Sequence, residues 1–259
     1  LLYAFTKIIL EVRSKLALSL VFCLSSAVLS AFLDALTVTA VIISVCVGFY
    51  SVFHKVASGK EYQNFEHDHS NDGMVAENRR EDLDAFRSFL RSLMMHGAVG
   101  TALGGVSTRV GEPQNLLISE KVGWDFIDFF MVMAPVTMPG LVCGLLTCIV
   151  LEKIKKFDYG SELPSSVRTI LENYSTQEQS KMTPELKASL IAQTGIAILL
   201  CVSLAMHIAA VGLIGLMVIV LATVFTGINE EHQIGKAFEE ALPFTALLVV
   251  FFTIVGVIH

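Results

Sequence analysis

The chain has 259 residues, 54% of them hydrophobic and only 16% charged, with a formal net charge of −6 at pH 7. Soluble domains carry about 25% charged residues, so the composition argues against a water-soluble globule and for a lipid environment. The acids lie mostly in two polar loops, so the net charge points to no nucleic-acid partner.

Mean hydropathy is +0.66, and the apolar residues gather into long blocks. Several blocks reach or approach the roughly 20 residues a helix needs to cross hydrocarbon. Residues 1–15 (LLYAFTKIILEVRSK) mix an apolar stripe with Lys7, Glu11, Arg13 and Lys15, as in an interfacial helix or the end of an earlier span. From 16 to 53, Asp34 is the one side chain of ordinary charge; Cys23, Cys46 and Tyr50 are far weaker acids. That stretch is too long for one span and must fold back on itself, which predicts a re-entrant hairpin. Residues 54–88 form a polar loop. Residues 89–128 run from an apolar, small-residue segment through GGVSTRVGEPQN to an aromatic interface segment at Trp124–Phe130, which predicts a broken helix. A span over 129–151, a second polar loop over 152–188 and three spans within 189–259 (189–207, 211–226 and 241–258) complete the chain. Gly212 and Gly215 are placed to let neighbouring helices approach closely. The fold class is therefore an all-α polytopic membrane protein.

Beginning at Leu1 in an apolar stretch and ending at His259 after another, without a signal peptide, the chain reads as an internal fragment of a longer protein. Orientation follows Lys and Arg. Loop 54–88 carries Lys55, Lys60, Arg79, Arg80 and Arg87; loop 152–188 carries Lys153, Lys155, Lys156, Arg168, Lys181 and Lys187. Segment 109–128 has only Arg109 and Lys121, so both long loops are expected in the cytoplasm.

Asp34 needs explaining first. A carboxylate near the bilayer centre costs about 2.5–3.5 kcal/mol on insertion scales, a cost usually met on ion or proton paths. The alternative is two complete spans with Asp34 on a turn in water. The segment SAVLSAFLDALTVTA has no Gly, Pro, Asn or basic residue to mark such a turn. With the preceding Ser25, it does offer Ser26, Ser30, Thr37 and Thr39, hydroxyls that can satisfy broken backbone or coordinate a cation. In GGVSTRVGEPQN, unwound backbone at membrane depth requires burial in protein or a wet cavity, and its freed carbonyls can bind Na⁺. An ordinary extracellular loop with Arg109 and Glu112 solvated is the competing reading. His96, within an apolar span, is either a hydrogen-bonded packing residue or a proton carrier. His67 and His69 have the spacing of a metal pair but sit in a polar loop, and the loop acids read as solvated faces. The five cysteines, Cys23, Cys46, Cys143, Cys148 and Cys201, lie in apolar blocks without metal-ligand spacing and read as small buried hydrophobes. No hydrolase triad, P-loop or GxGxxG stands out, so neither an enzyme nor a cofactor is expected.

The strings SAFLDALTVTAVIISVCVGFY, RSLMMHGAVGTALGGVSTRVGEPQNLLI and EEALPFTALLVVFF closely resemble the NhaB family of Na⁺/H⁺ antiporters. That family is grouped with ion transporters built from inverted repeats, in which a re-entrant hairpin and a broken helix meet at a cation site. The resemblance implies that Asp34-Ala35-Leu36-Thr37 holds the place of the hairpin-tip Ser-Asn-Thr of the dicarboxylate carriers. It implies likewise that Gly111-Glu112-Pro113-Gln114-Asn115 matches their Gly-x-Pro-Pro-Asn break, with Gln114 for the second proline. Residues 189–259 would open the second repeat, whose own hairpin lies beyond this chain. The implied function is exchange of Na⁺ for H⁺ by alternating access in a bacterial inner membrane. Na⁺ would bind near Asp34, the exchanging carboxylate, with Thr37, Gly111 and Asn115 as neighbours and His96 on a proton path. Glu112 would be a second acid or a partner of Arg109. Na⁺, H⁺ and the lipid bilayer are the implied partners, and a homo-oligomer stays open. A cation-coupled carrier of small anions on the same fold, or a non-transporting membrane scaffold, are the competing functions.

Overall fold

A computed structural model describes residues 8–60, 67–180, 183–206 and 208–227, with isolated residues beyond. Among the described residues the regular structure is helical, without strands. The principal helices are α1 (Lys15–Ser30), α2 (Ala35–Ala57), α3 (Arg80–Gly105), α4 (Pro113–Val122), α5 (Phe126–Ile154), α6 (Ser165–Ser180), α7 (Pro184–Ala205) and α8 (Val211–Thr226). The helices α2, α5 and α7 are each long and apolar enough to cross a membrane, while α1 and α8 are shorter apolar helices. The chain is an all-α membrane protein. It divides into two compact units, Leu1–Lys181 and Met182–His259.

In the first unit α3 is the central element, packed against both α1 and α2. Its sequence explains why. The first half repeats large apolar residues at helical spacing, and Leu83, Phe86, Phe89, Leu90 and Leu93 are all buried against Phe22, Phe49 and Phe53. Its second half replaces that bulk with Gly97, Gly100 and Gly104. A Cβ on Gly100 would overlap the Cys23 carbonyl, and one on Gly104 the Ala27 carbonyl, so α1 and α3 cross in backbone contact. Small residues give such contact in lipid, where apolar bulk alone gains nothing over the surrounding chains.

Helix α2 starts where Asp34 caps it, and it ends at Ser58 before Gly59 with φ of +73°. The linker beyond is pinned back by Arg87, which donates to Asp72 at 2.6 Å and to Tyr50 at 2.5 Å. Hydrogen bonding from Arg87 holds the Asp72 carboxyl below the usual carboxylate range.

The segment expected as a polar loop after residue 151 is more ordered than its charge suggests. Helix α5 runs on to Ile154, and α6 turns Val167, Ile170 and Leu171 into the core shared with α2 and α3. The spacing i, i+3, i+4 makes that an amphipathic face. Along α5, by contrast, Met131, Val136, Val142, Leu146 and Val150 are exposed, as suits a lipid-facing helix. In the second unit α7 and α8 pack together. Gly212 and Gly215, expected at a close helix crossing, meet nothing within 4 Å among the described residues. The third span expected there, 241–258, lies largely outside the described residues.

Candidate functional site

The end of α1, the start of α2 and the gap between α3 and α4 come together. Helix α1 stops at Ser30, and residues 31–34 carry the chain into α2. Asp34 is extended (φ −68°, ψ 154°), as an N-cap must be, and its carboxylate accepts the Thr37 backbone N–H at 2.9 Å and the Thr37 hydroxyl. Asp34 is half-buried and Thr37 exposed, so the tip is more open than the expectation of a hairpin tip enclosed in protein. The second arm, α2, is itself long enough to cross a membrane.

Helix α3 gives way over residues 106–112, the break expected from the glycines and Pro113. Pro113 opens α4 at a position where the missing N–H costs nothing. Asn115, 6% exposed, holds the break in shape: its amide donates to Gly105 O at 3.1 Å and to Thr108 O at 2.9 Å. The Thr108 hydroxyl donates to Ala31 O and accepts the Gly111 N–H at 3.2 Å, tying the break to the end of α1. Gly111 allows this closeness. A Cβ there would overlap Gly105 O, lying also 2.7 Å from Gly105 Cα and 2.7 Å from Ser30 O.

These constraints gather oxygens around one point. The position a Cβ on Gly105 would take lies 3.0 Å from Glu112 Oε1, 3.0 Å from Ser30 Oγ and 3.1 Å from Gly111 O. Ser30 Oγ is fully buried and has no hydrogen-bond partner among the described residues. Asp34 stands close enough to Glu112 for the two carboxylates to repel each other. A hydroxyl, a carbonyl and a carboxylate, with a second carboxylate beside them, form a donor set for a hard cation or a proton. Among the described residues no ion pair joins Arg109 to Glu112, and Arg109 Nε is buried without a partner. Of the two roles expected for Glu112, a second acid or a partner of Arg109, the ion pair with Arg109 is not formed among the described residues.

His96 belongs to a different cluster. Buried on α3, its Nε2 lies 2.8 Å from Glu152 Oε1. Glu152, expected among solvated loop acids, is only 5% exposed because α5 extends past it. His67 meets His54 of α2 across 2.7 Å, and no group of three or more metal-ligating side chains occurs among the described residues. Of the cysteines, Cys23, Cys46 and Cys148 are buried, Cys201 is half-buried and Cys143 is exposed.

The family model for the bacterial Na⁺/H⁺ antiporter B (NhaB) matches residues 1–259. The chain belongs to the NhaB family. It is 64% identical over 259 residues to the Na(+)/H(+) antiporter NhaB of Hahella chejuensis, covering all of this chain and 52% of that protein. It is 65% identical to the Na(+)/H(+) antiporter NhaB of Marinomonas sp. and 62% to that of Marinobacter nauticus, with the same coverage. The chain thus spans about half the length of the curated NhaB relatives it matches. No solved structure matches it.

Proposed function

We propose that this chain supplies the cation-exchanging half-site of a Na⁺/H⁺ antiporter working by alternating access in a bacterial inner membrane. The observation that carries the reading is the convergence of Glu112, Ser30 and Gly111 oxygens beside Asp34. A carboxylate set among neutral oxygens and near a second acid can be neutralised by Na⁺ or by a proton. Na⁺ entering the oxygen cluster displaces the proton, and a returning proton displaces Na⁺. Exchange then follows if the cluster faces each side in turn, the tip and the broken helix moving against the other spans. Asp34 is the exchanging carboxylate and Glu112 the second acid. Thr37 holds Asp34 through two hydrogen bonds, Ser30 and Gly111 offer neutral oxygens, and Asn115 shapes the break. Na⁺ and H⁺ are the substrates.

The test uses the full-length protein in everted vesicles carrying a proton gradient. Adding Na⁺ should collapse the gradient, and adding a dicarboxylate or arsenite should not. Gradient collapse that requires a small anion would replace antiport with the anion-carrier reading, and an inert protein would favour a scaffold.

The same reading puts loops 54–88 and 152–188 in the cytoplasm, from their Lys and Arg content. Ser70 is exposed and well suited to a single-cysteine reporter in a cysteine-free background. Ser70→Cys should react with a membrane-impermeant thiol reagent in everted vesicles and not in intact cells. Labelling from outside intact cells would invert the topology.

A further inference from the structure

The Glu152 cluster lies at the opposite end of the α1–α3 seam from the oxygen cluster. On α1, Ser19 and Ser30 mark the two ends, eleven residues apart and so about 16 Å at 1.5 Å per residue. Glu152 on α5 is reached from every element around it. From α1, Ser19 Oγ donates to its Oε1 at 2.8 Å, and Lys15 Nζ stands 3.7 Å away. From α3, His96 Nε2 lies 2.8 Å away. From the following loop, the Gly160 N–H donates to Oε2 at 2.7 Å. The other titratable groups facing the cluster are Cys23 of α1, Cys148 of α5 and Tyr159, whose ring centre is 5.1 Å from that of His96.

The loop that closes this cluster is held in an unfavourable backbone shape. Lys155, Phe157 and Asp158 have φ of 53°, 57° and 68°, a region that non-glycine residues seldom adopt. Asp158 is anchored by Arg91 of α3, which keeps the loop folded over Glu152. Backbone of this kind persists where the surroundings determine it, and it gathers at functional sites.

We propose that Glu152 and His96 together hold one exchangeable proton, forming a second protonatable site of the same transport cycle at the basic-loop end of the seam. The inference rests on the antiport reading. Without the extra proton the pair is a carboxylate facing neutral imidazole, and Lys15 balances the charge. With it, the proton resides on His96 as imidazolium or on Glu152 as carboxylic acid, the hydrogen bond between Nε2 and Oε1 serving both forms. Between the two clusters, Ser26, Thr101, Ser107 and Thr108 are buried hydroxyls, each donating to a backbone carbonyl.

A Glu152→Gln variant of the full-length protein keeps the size and an acceptor oxygen but cannot take up a proton. Exchange is read as Na⁺-induced collapse of a proton gradient across a range of pH, beside the parent and Asp34→Asn. The maximal rate should fall by at least about tenfold, as when a positioned proton-transfer group is lost. The pH profile should lose one titration, and the half-saturating Na⁺ should stay near that of the parent. If Glu152→Gln keeps the parent's rate and profile, or its rate falls only in step with weakened Na⁺ saturation, the second proton site does not exist. His96→Asn, which keeps a donor but cannot titrate, reads the same pair if Glu152→Gln fails to accumulate. Failure of both to accumulate assigns the cluster to folding alone and overturns the proposal. A parent inert to Na⁺ refutes the antiport reading itself, whereas loss in Asp34→Asn beside a normal Glu152→Gln refutes only this inference.

Discussion

Asp34→Asn in the full-length protein is expected to abolish Na⁺-driven proton movement while leaving membrane insertion and accumulation close to normal. The second half of that expectation comes from the cap. Asn is as good an N-cap as Asp, and its side-chain oxygen can accept the Thr37 N–H as the carboxylate does at 2.9 Å. Helix α2 therefore keeps its start. The repulsion between residues 34 and 112 also disappears, so the variant is not expected to fold less well. What it loses is the ability to exchange one positive charge for another. Asp34→Glu restores the charge on a longer arm but gives up the cap, so partial exchange with a displaced pH profile is expected. Thr37→Val keeps the backbone donor and removes the hydroxyl one, weakening exchange without abolishing it. The measurement is Na⁺-induced collapse of a proton gradient in everted vesicles at several pH values, with accumulation checked in the same membranes. Parental exchange by Asp34→Asn would remove Asp34 as the coupling acid and move that role to Glu112.

The parts of this site that the sequence makes legible are those written as local exceptions to an apolar pattern. Asp34 stands out because the blocks on either side of it carry no comparable charge. The break in α3 stands out because Gly104, Gly105, Gly111 and Pro113 crowd into a few residues of a helical run. Both are properties of a segment taken alone. Glu152 is different. In LEKIKKFDYG it is surrounded by lysines and reads as the start of a solvated loop. Its burial depends on four groups from two other helices and from a loop in which Lys155, Phe157 and Asp158, as well as Gly160, are left-handed. No local pattern encodes that combination. The nearest signal was His96, a polar side chain in an apolar span that had to find a partner somewhere.

Helix α6 lies between these cases. Val167, Ile170 and Leu171 have the spacing of an amphipathic face, readable in principle, but the charges around them made the whole stretch read as polar. The glycines show the same limit from the other side. Gly97, Gly100 and Gly104 on α3 are spaced to form a small-residue ridge, and Gly212 and Gly215 on α8 look equally suited. Within the described residues, Gly100 and Gly104 meet the α1 backbone and Gly97 meets side chains of α1 and α2, whereas Gly212 and Gly215 meet nothing within 4 Å. Spacing shows that a face can be approached, and the partner's position decides whether it is.

Asn115→Leu is expected to destroy exchange by releasing the break, without touching a carboxylate. The native amide donates to two carbonyls, Gly105 O and Thr108 O, which lie on the last residue of α3 and within the unwound segment. Leucine has the same branched shape but is bulkier and has no donor, so both carbonyls are left short of a partner in a buried place. Each such loss costs about 1–3 kcal/mol, a large fraction of the stability that holds a fold together. The damage is local because Pro113 still starts α4 and Gly111 still lets Ser30 approach. The expected outcome is protein that accumulates at a reduced level, melts at a lower temperature in detergent and shows no Na⁺-induced gradient collapse. Asn115→Asp separates the donor from the shape. Ionised, it offers only acceptors to two carbonyl oxygens and adds a third negative charge near Asp34 and Glu112, so it should be at least as damaging as leucine. Asn115→Gln retains the amide donors on a longer arm and should recover part of both stability and exchange. If leucine supports parental exchange, the break keeps its shape without Asn115, and the oxygen cluster at Gly105 does not depend on it.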